Sequence, residues 1–215
     1  MPLFDQIRKE TGKKLLCVNW KSEFHHMDAP AELFDQIVGR LRNTCQAVLF
    51  TDEETSSVMQ EKIHSLNAPV VNPSSLIYDC QDTIAVLSHV DAFVSVDAGI
   101  AHTAGAMGIP GVVLFGPFSS ETHAADHKYV VPVSASLRET HRGCAEINYL
   151  RDVTSPCFEA IKVDHVIEAF DDAVDRKINA TKIKRPHHEA QKQIETGDKF
   201  VKSSGLQSFP VTLAL

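Results

Sequence analysis

The residues best suited to chemistry lie between Val96 and Pro117, VDAGIAHTAGAMGIPGVVLFGP, where Asp97 and His102 flank the small residues Ala98, Gly99 and Ala101. The apolar run Ala92 to Val96 predicts a strand. Ile100, Thr103, Ala104 and Met107 then recur at helical spacing until Gly108 and Pro110 stop the helix, and a second strand follows over Gly111 to Phe115. Backbone N–H groups near Gly99, Ile100 and Ala101, added to the helix dipole, favour an anion at the start of this helix, and small side chains let a diphosphate approach. Two readings stand side by side. Neither GxGxxG nor GxxxxGK[ST] is present, and Gly and Ala also serve tight packing of a helix on a sheet. Asp97 either meets a ligand or caps the helix, and His102 either faces the anion or bonds the preceding loop.

Other candidates stand at neighbouring strand ends. After the strand Leu15 to Trp20, Asn19 and Lys21 are candidate ligands; Lys21 is the firm cation of a loop that also holds His25 and His26. After the strand Gln46 to Thr51, Glu54, with Asp52 second, occupies the place where an acidic side chain binds a nucleotide's ribose; the same charges also suit a helix N-terminus. His123 and His127, four apart, lack the carboxylate partner of a metal motif. Cys144, Cys157 and His141 fall short of four zinc ligands. No metal and no cofactor are expected.

The elements that position these residues alternate. A helix over Pro30 to Arg42 carries Leu33, Phe34, Ile37, Val38 and Leu41 on one face, with Pro30 in its first turn. Glu53 to Leu66 is read as a helix, Pro69 to Asn72 as a short strand, and Asp82 as the cap of a brief helix through Ile84, Ala85 and Leu87. A strand over Tyr129 to Val133 follows, then a helix from Val163 to Lys177. This alternation predicts an α/β fold, a single Rossmann-like doubly wound parallel sheet with ligands at the carboxyl ends of its strands. Residues 1–178 form the predicted Rossmann-like domain. Residues 179–215 form a polar tail with a short helix from Pro186 to Thr196, either disordered or docking through Phe209 to Leu215 on a second subunit.

With 215 residues, 43% of them hydrophobic, the chain fills one core and not two. A formal charge of -7 and a pI near 5.8 argue against binding to nucleic acid. The N-terminus lacks an apolar secretory region and no run reaches the length of a membrane span, so a cytoplasmic location is expected. Five scattered cysteines without a CxxC pair predict free thiols.

Asp97, Gly99, His102, Ala104, Ala106, Pro110 and the run Leu114, Phe115, Gly116, Pro117 together resemble the signature D[ST]GxxHLAxAxxxPxxxLFGP of glycosyltransferase family 9, the ADP-heptose lipopolysaccharide heptosyltransferases. Ala98 replaces the usual Ser or Thr, and Thr103 the usual Leu. The resemblance extends more weakly from Lys14 to Phe170. It implies the C-terminal, donor-binding half of a two-domain B-type (GT-B) glycosyltransferase, holding an ADP-heptose-like nucleotide-diphosphate sugar. Asp97 would then meet sugar hydroxyls. The family's lysine after the first strand is missing or replaced by His25 or His26. The catalytic base and acceptor site belong to the other half, so the resemblance implies transfer only if an acceptor domain, a homodimer or a partner chain supplies them. The alternative is a noncatalytic module that binds a nucleotide sugar or another protein.

Overall fold

The computed structural model describes residues 2–22, 28–50, 70–71, 79–116, 118, 120, 127–134 and 156–182. The chain divides into two compact units, Met1–Arg176 and Lys177–Leu215. Of the second, residues 177–182 are described and are helical. The expected helices over Glu53 to Leu66 and Pro186 to Thr196, and the apolar end Phe209 to Leu215, lie outside the described residues.

In chain order the elements are α1 (Pro2–Thr11), β1 (Lys14–Asn19), α2 (Ala31–Leu41), β2 (Cys45–Leu49), β3 (Val70–Val71), α3 (Cys80–Leu87), β4 (Ala92–Val96), α4 (Gly99–Ala106), β5 (Gly111–Phe115) and β6 (Val130–Ser134). A 3-10 helix (Pro156–Ala160) and α5, over residues 163–182, follow. The strands form one six-stranded sheet in the order β3-β2-β1-β4-β5-β6, and every neighbouring pair is parallel. The α/β, doubly wound reading of the sequence therefore holds.

Central strands with helices on both faces are buried on both, and β1 from Leu15 onward, β2, β4 and β5 are buried throughout and mostly apolar for that reason, with Asn19, Gln46 and Ser95 as buried polar exceptions. On one face Leu16, Val18, Val94, Val96, Val112 and Leu114 pack with Phe34, Ile37 and Leu41 of α2, Phe158, and Val166 and Phe170 of α5. On the other, Leu15, Cys17, Val48, Phe93, Val113 and Phe115 pack with Phe4 and Ile7 of α1, Val86 and Leu87 of α3, and Ala101 and Ala104 of α4. The alanines bring the α4 backbone close to the sheet, which fixes where its first turn projects.

Three local expectations are corrected. The first fourteen residues, which show no clear sequence pattern, contain the helix α1, and Phe4 and Ile7 are buried from one face of it. Arg8 Nη1 donates to Asp91 Oδ2 at 2.7 Å, and the same oxygen accepts Leu15 N at 2.8 Å, which ties α1 to the amino ends of β1 and β4. The cap of α3 is Asp79, not Asp82. Asp79 is extended, and its carboxylate accepts from the N–H groups of Gln81 and Asp82. Pro30 is the N-cap of α2 and lies before its first turn.

Candidate functional site

The strand order reverses beside β1, where β2 lies on one side and β4 on the other, and the carboxyl ends at such a switch point are where a doubly wound sheet holds its ligand. Asn19 and Ser95 are register partners there. Asn19 Nδ2 donates to Ser95 Oγ at 3.1 Å and to the Lys21 carbonyl at 3.0 Å, and Ser95 Oγ donates to Val96 O at 2.7 Å. Both side chains are buried, and these bonds replace the water they lose. Asn19 is thus a brace joining the loop after β1 to the strand that leads into Asp97.

Lys21 stands at the mouth of that loop. Asp28 closes the loop's neck: its Oδ1 accepts Ser22 N at 2.7 Å, its Oδ2 lies 3.9 Å from Lys21 Nζ, and Ala29 N donates to Trp20 O at 3.0 Å. The Lys21 side chain is one-third exposed and that of Asp28 nearly buried.

On the neighbouring strand end, Ala98 is the N-cap of α4 in an extended conformation and makes no side-chain cap bond. The Ala98 carbonyl accepts Ala101 N at 2.9 Å. The N–H of Ala101 is therefore spent within the helix, and those of Gly99 and Ile100 are the first-turn donors that helix geometry leaves without an intrahelical partner. Ile100 packs its side chain on the core while Ala101 is buried, so the exposed backbone belongs to Gly99. A Cβ built on Gly99 would meet nothing within 4 Å, so this end of the helix faces open space. The other end closes tightly: Gly108, at φ 70°, donates to Gly105 O, and Ile109 N donates to Ala104 O at 3.0 Å.

Asp97 does not cap the helix. Its Oδ1 lies 3.1 Å from His102 Nε2, with the carboxylate nearly buried and the imidazole 40% exposed. Occupying Nε2 leaves Nδ1 as the ring nitrogen open to a ligand. Behind His102, at a ring-centroid distance of 6.1 Å, lies His127, seated against Gly105. Its Nε2 is buried without a hydrogen-bond partner, beside a cavity of about 20 Å³ lined by Ala101, His102, Val113 and Phe115. The sequence pairs His127 with His123 as a metal motif that lacks its carboxylate partner, and among the described residues no group of three such side chains is placed to hold a metal.

The structure thus brings Asn19, Lys21, Asp97, Ala98, Gly99, Ile100, Ala101 and His102 to adjacent strand ends. Glu54, Asp52, His25, His26, His123, His141 and Cys144 lie outside the described residues. Sequence reasoning missed Ser95 and Asp28. Ser95 sits inside an apolar run, and Asp28 reads as an ordinary surface charge; both gain meaning only through partners supplied by the fold. A larger groove of about 710 Å³, between α2 and residues 158–164, contains none of the candidates. Among the described residues no helix is long and apolar enough to cross a membrane. Backbone donors, an imidazole and an ammonium at adjacent strand ends suit an anion.

The family model described as glycosyltransferase family 9 (heptosyltransferase) matches residues 4–149, more than half of the 215. Among solved structures, the glycosyl transferase family 9 protein from Veillonella parvula DSM 2008 is similar at a TM-score of 0.63 and 15% identity, over 80% of this chain and 50% of that one. The E. coli ADP-heptose lps heptosyltransferase II gives a TM-score of 0.62 at 16% identity, over 81% and 51%. E. coli heptosyltransferase WaaC with ADP gives 0.56 at 13%, over 75% and 44%. The chain spans about half the length of these relatives. No curated protein matches it. With a parallel sheet whose switch point carries the DAGIAH turn, and with the family model spanning α1 through β6, the chain belongs to glycosyltransferase family 9.

Proposed function

We propose that the unit Met1–Arg176 binds the diphosphate of a nucleotide-diphosphate sugar, an ADP-heptose-like donor, at the carboxyl ends of β1 and β4. The observation that carries this reading is the start of α4, where the N-cap Ala98 makes no side-chain cap bond and a Cβ on Gly99 would border open space. In the proposed complex the N–H groups of Gly99 and Ile100 hold one phosphate with the helix dipole behind them. His102, fixed by Asp97, presents Nδ1 to the same group and donates from it when protonated. Lys21 adds charge from the opposite strand end. In transfer, the bond from the sugar's anomeric carbon to the diphosphate oxygen breaks, and these groups hold the negative charge that gathers on the leaving diphosphate. The acceptor hydroxyl must lose its proton to a base that a partner chain or a further domain supplies.

Calorimetry tests the reading. ADP is expected to bind the wild-type chain in the micromolar to millimolar range, and Gly99→Ala is expected to weaken it about tenfold or more, because the new methyl group occupies the space through which a phosphate approaches. Gly99→Ala meets no protein atom and should leave the melting temperature unchanged or higher. Absence of ADP binding at millimolar concentration, or an unchanged affinity in Gly99→Ala, would refute it.

A further inference from the structure

The loop after β1 holds its lysine in an unusual way. The root of the Lys21 side chain is fixed, because the Lys21 carbonyl accepts Asn19 Nδ2 at 3.0 Å and Asn19 is itself bound to Ser95. The neighbouring Trp20 carbonyl is fixed by Ala29 N. Asp28 is anchored as firmly, by a 2.7 Å bond from Ser22 N to its Oδ1. Between these two fixed points the ammonium and the carboxylate are not in hydrogen-bond contact: Nζ lies 3.9 Å from Oδ2. An ammonium has three donors on a flexible stem, and the Lys21 side chain is about one-third exposed. It is tethered by charge without being locked by geometry.

We infer that Asp28 is a positioning residue that holds Lys21 as an exchangeable counter-ion, released to the diphosphate when the ligand enters the site; this rests on the reading of the site given above. Asp28 keeps the ammonium at the strand ends in the empty site and competes with the ligand for it in the full one. Affinity is thereby set below what Lys21 alone would give, which favours release of a charged nucleoside diphosphate after its sugar has left. An asparagine at 28 can still accept from Ser22 N, so Asp28→Asn removes the competing charge and keeps that bond.

The test is ADP calorimetry on the full chain and three variants. Asp28→Asn should tighten ADP binding about twofold to fivefold, the size of a partly exposed ion pair. Lys21→Met should weaken it, and the double variant should bind no more tightly than Lys21→Met. A structural role for Asp28 would leave Asp28→Asn unchanged, and a diffuse field effect would preserve the gain without Lys21; either outcome overturns the inference while ADP binding by the wild type stands. No binding by the wild type overturns both. Carbon-13 lysine labelling gives a second reading on the unmutated protein: the Lys21 Cε resonance, assigned by its loss in Lys21→Met, should move on saturation with ADP, and a resonance that stays in place contradicts the exchange.

Discussion

The carboxylate of Asp97 holds His102 Nε2 at 3.1 Å across the first turn of α4, so two residues of the signature act on one another before any ligand arrives. The pair is asymmetric, with Asp97 nearly buried and His102 reaching toward solvent. Asp97 therefore aims the imidazole, and in the proposed complex that is its part in the site.

Two groups that act as a unit lose their effects together. Asp97→Ala and His102→Ala are each expected to weaken ADP binding about tenfold, the scale of a lost charge-assisted hydrogen bond, and the double variant to weaken it little further. Calorimetry on the four proteins reads the coupling. Additive losses would mean that the two residues touch the ligand independently.

His127 makes a separate prediction about stability. Its buried Nε2 has no partner, and the adjoining cavity of about 20 Å³ leaves room beside the ring. His127→Phe keeps a ring against Gly105 and removes the unsatisfied atom, which should raise the unfolding free energy by about 1 kcal/mol in urea melts. A loss of stability would show that Nε2 is bonded through water.

The thiols differ in the form that reacts. Burial pushes the Cys17 thiol far above the ordinary cysteine range, and burial also raises Cys45, although the Thr44 hydroxyl and Lys14 pull it back in part. Thiolate is the nucleophile, so a raised pKa leaves less of it at a given pH. At pH 8 in the folded protein, Cys80, which is exposed, should alkylate with iodoacetamide, whereas Cys17, Cys45 and Cys157, all buried, should not. Peptide mass spectrometry reads this directly, and labelling of Cys17 without denaturant would contradict the packing of β1.

What could be read from the sequence was what local pattern determines. Gly111 to Phe115 and Ala92 to Val96 were legible as strands because each is a short apolar run with turn residues at its ends. The start of α4 was legible because Ala98 and Gly99 offer no side-chain cap. The cap of α3 was misplaced because Asp79 and Asp82 both suit the position, and only the extended backbone at Asp79 decides between them. The helix Pro2–Thr11 was missed because its two buried residues, Phe4 and Ile7, make too short a stripe to stand out before the sheet is assembled. The role of Asn19 was not legible at all: its partner Ser95 lies 76 residues away, and their pairing follows from the β1–β4 register. Lys21 was found as a cation, but its restraint by Asp28 depends on how the loop closes.

The account turns on one place, the exposed backbone at the start of α4. An amide NMR titration of the nitrogen-15-labelled chain with ADP tests it most directly. The account predicts that the Gly99 and Ile100 amide resonances move most and saturate with the calorimetric binding curve, with Lys21 and His102 following. Saturable binding that leaves Gly99 and Ile100 unmoved would contradict it.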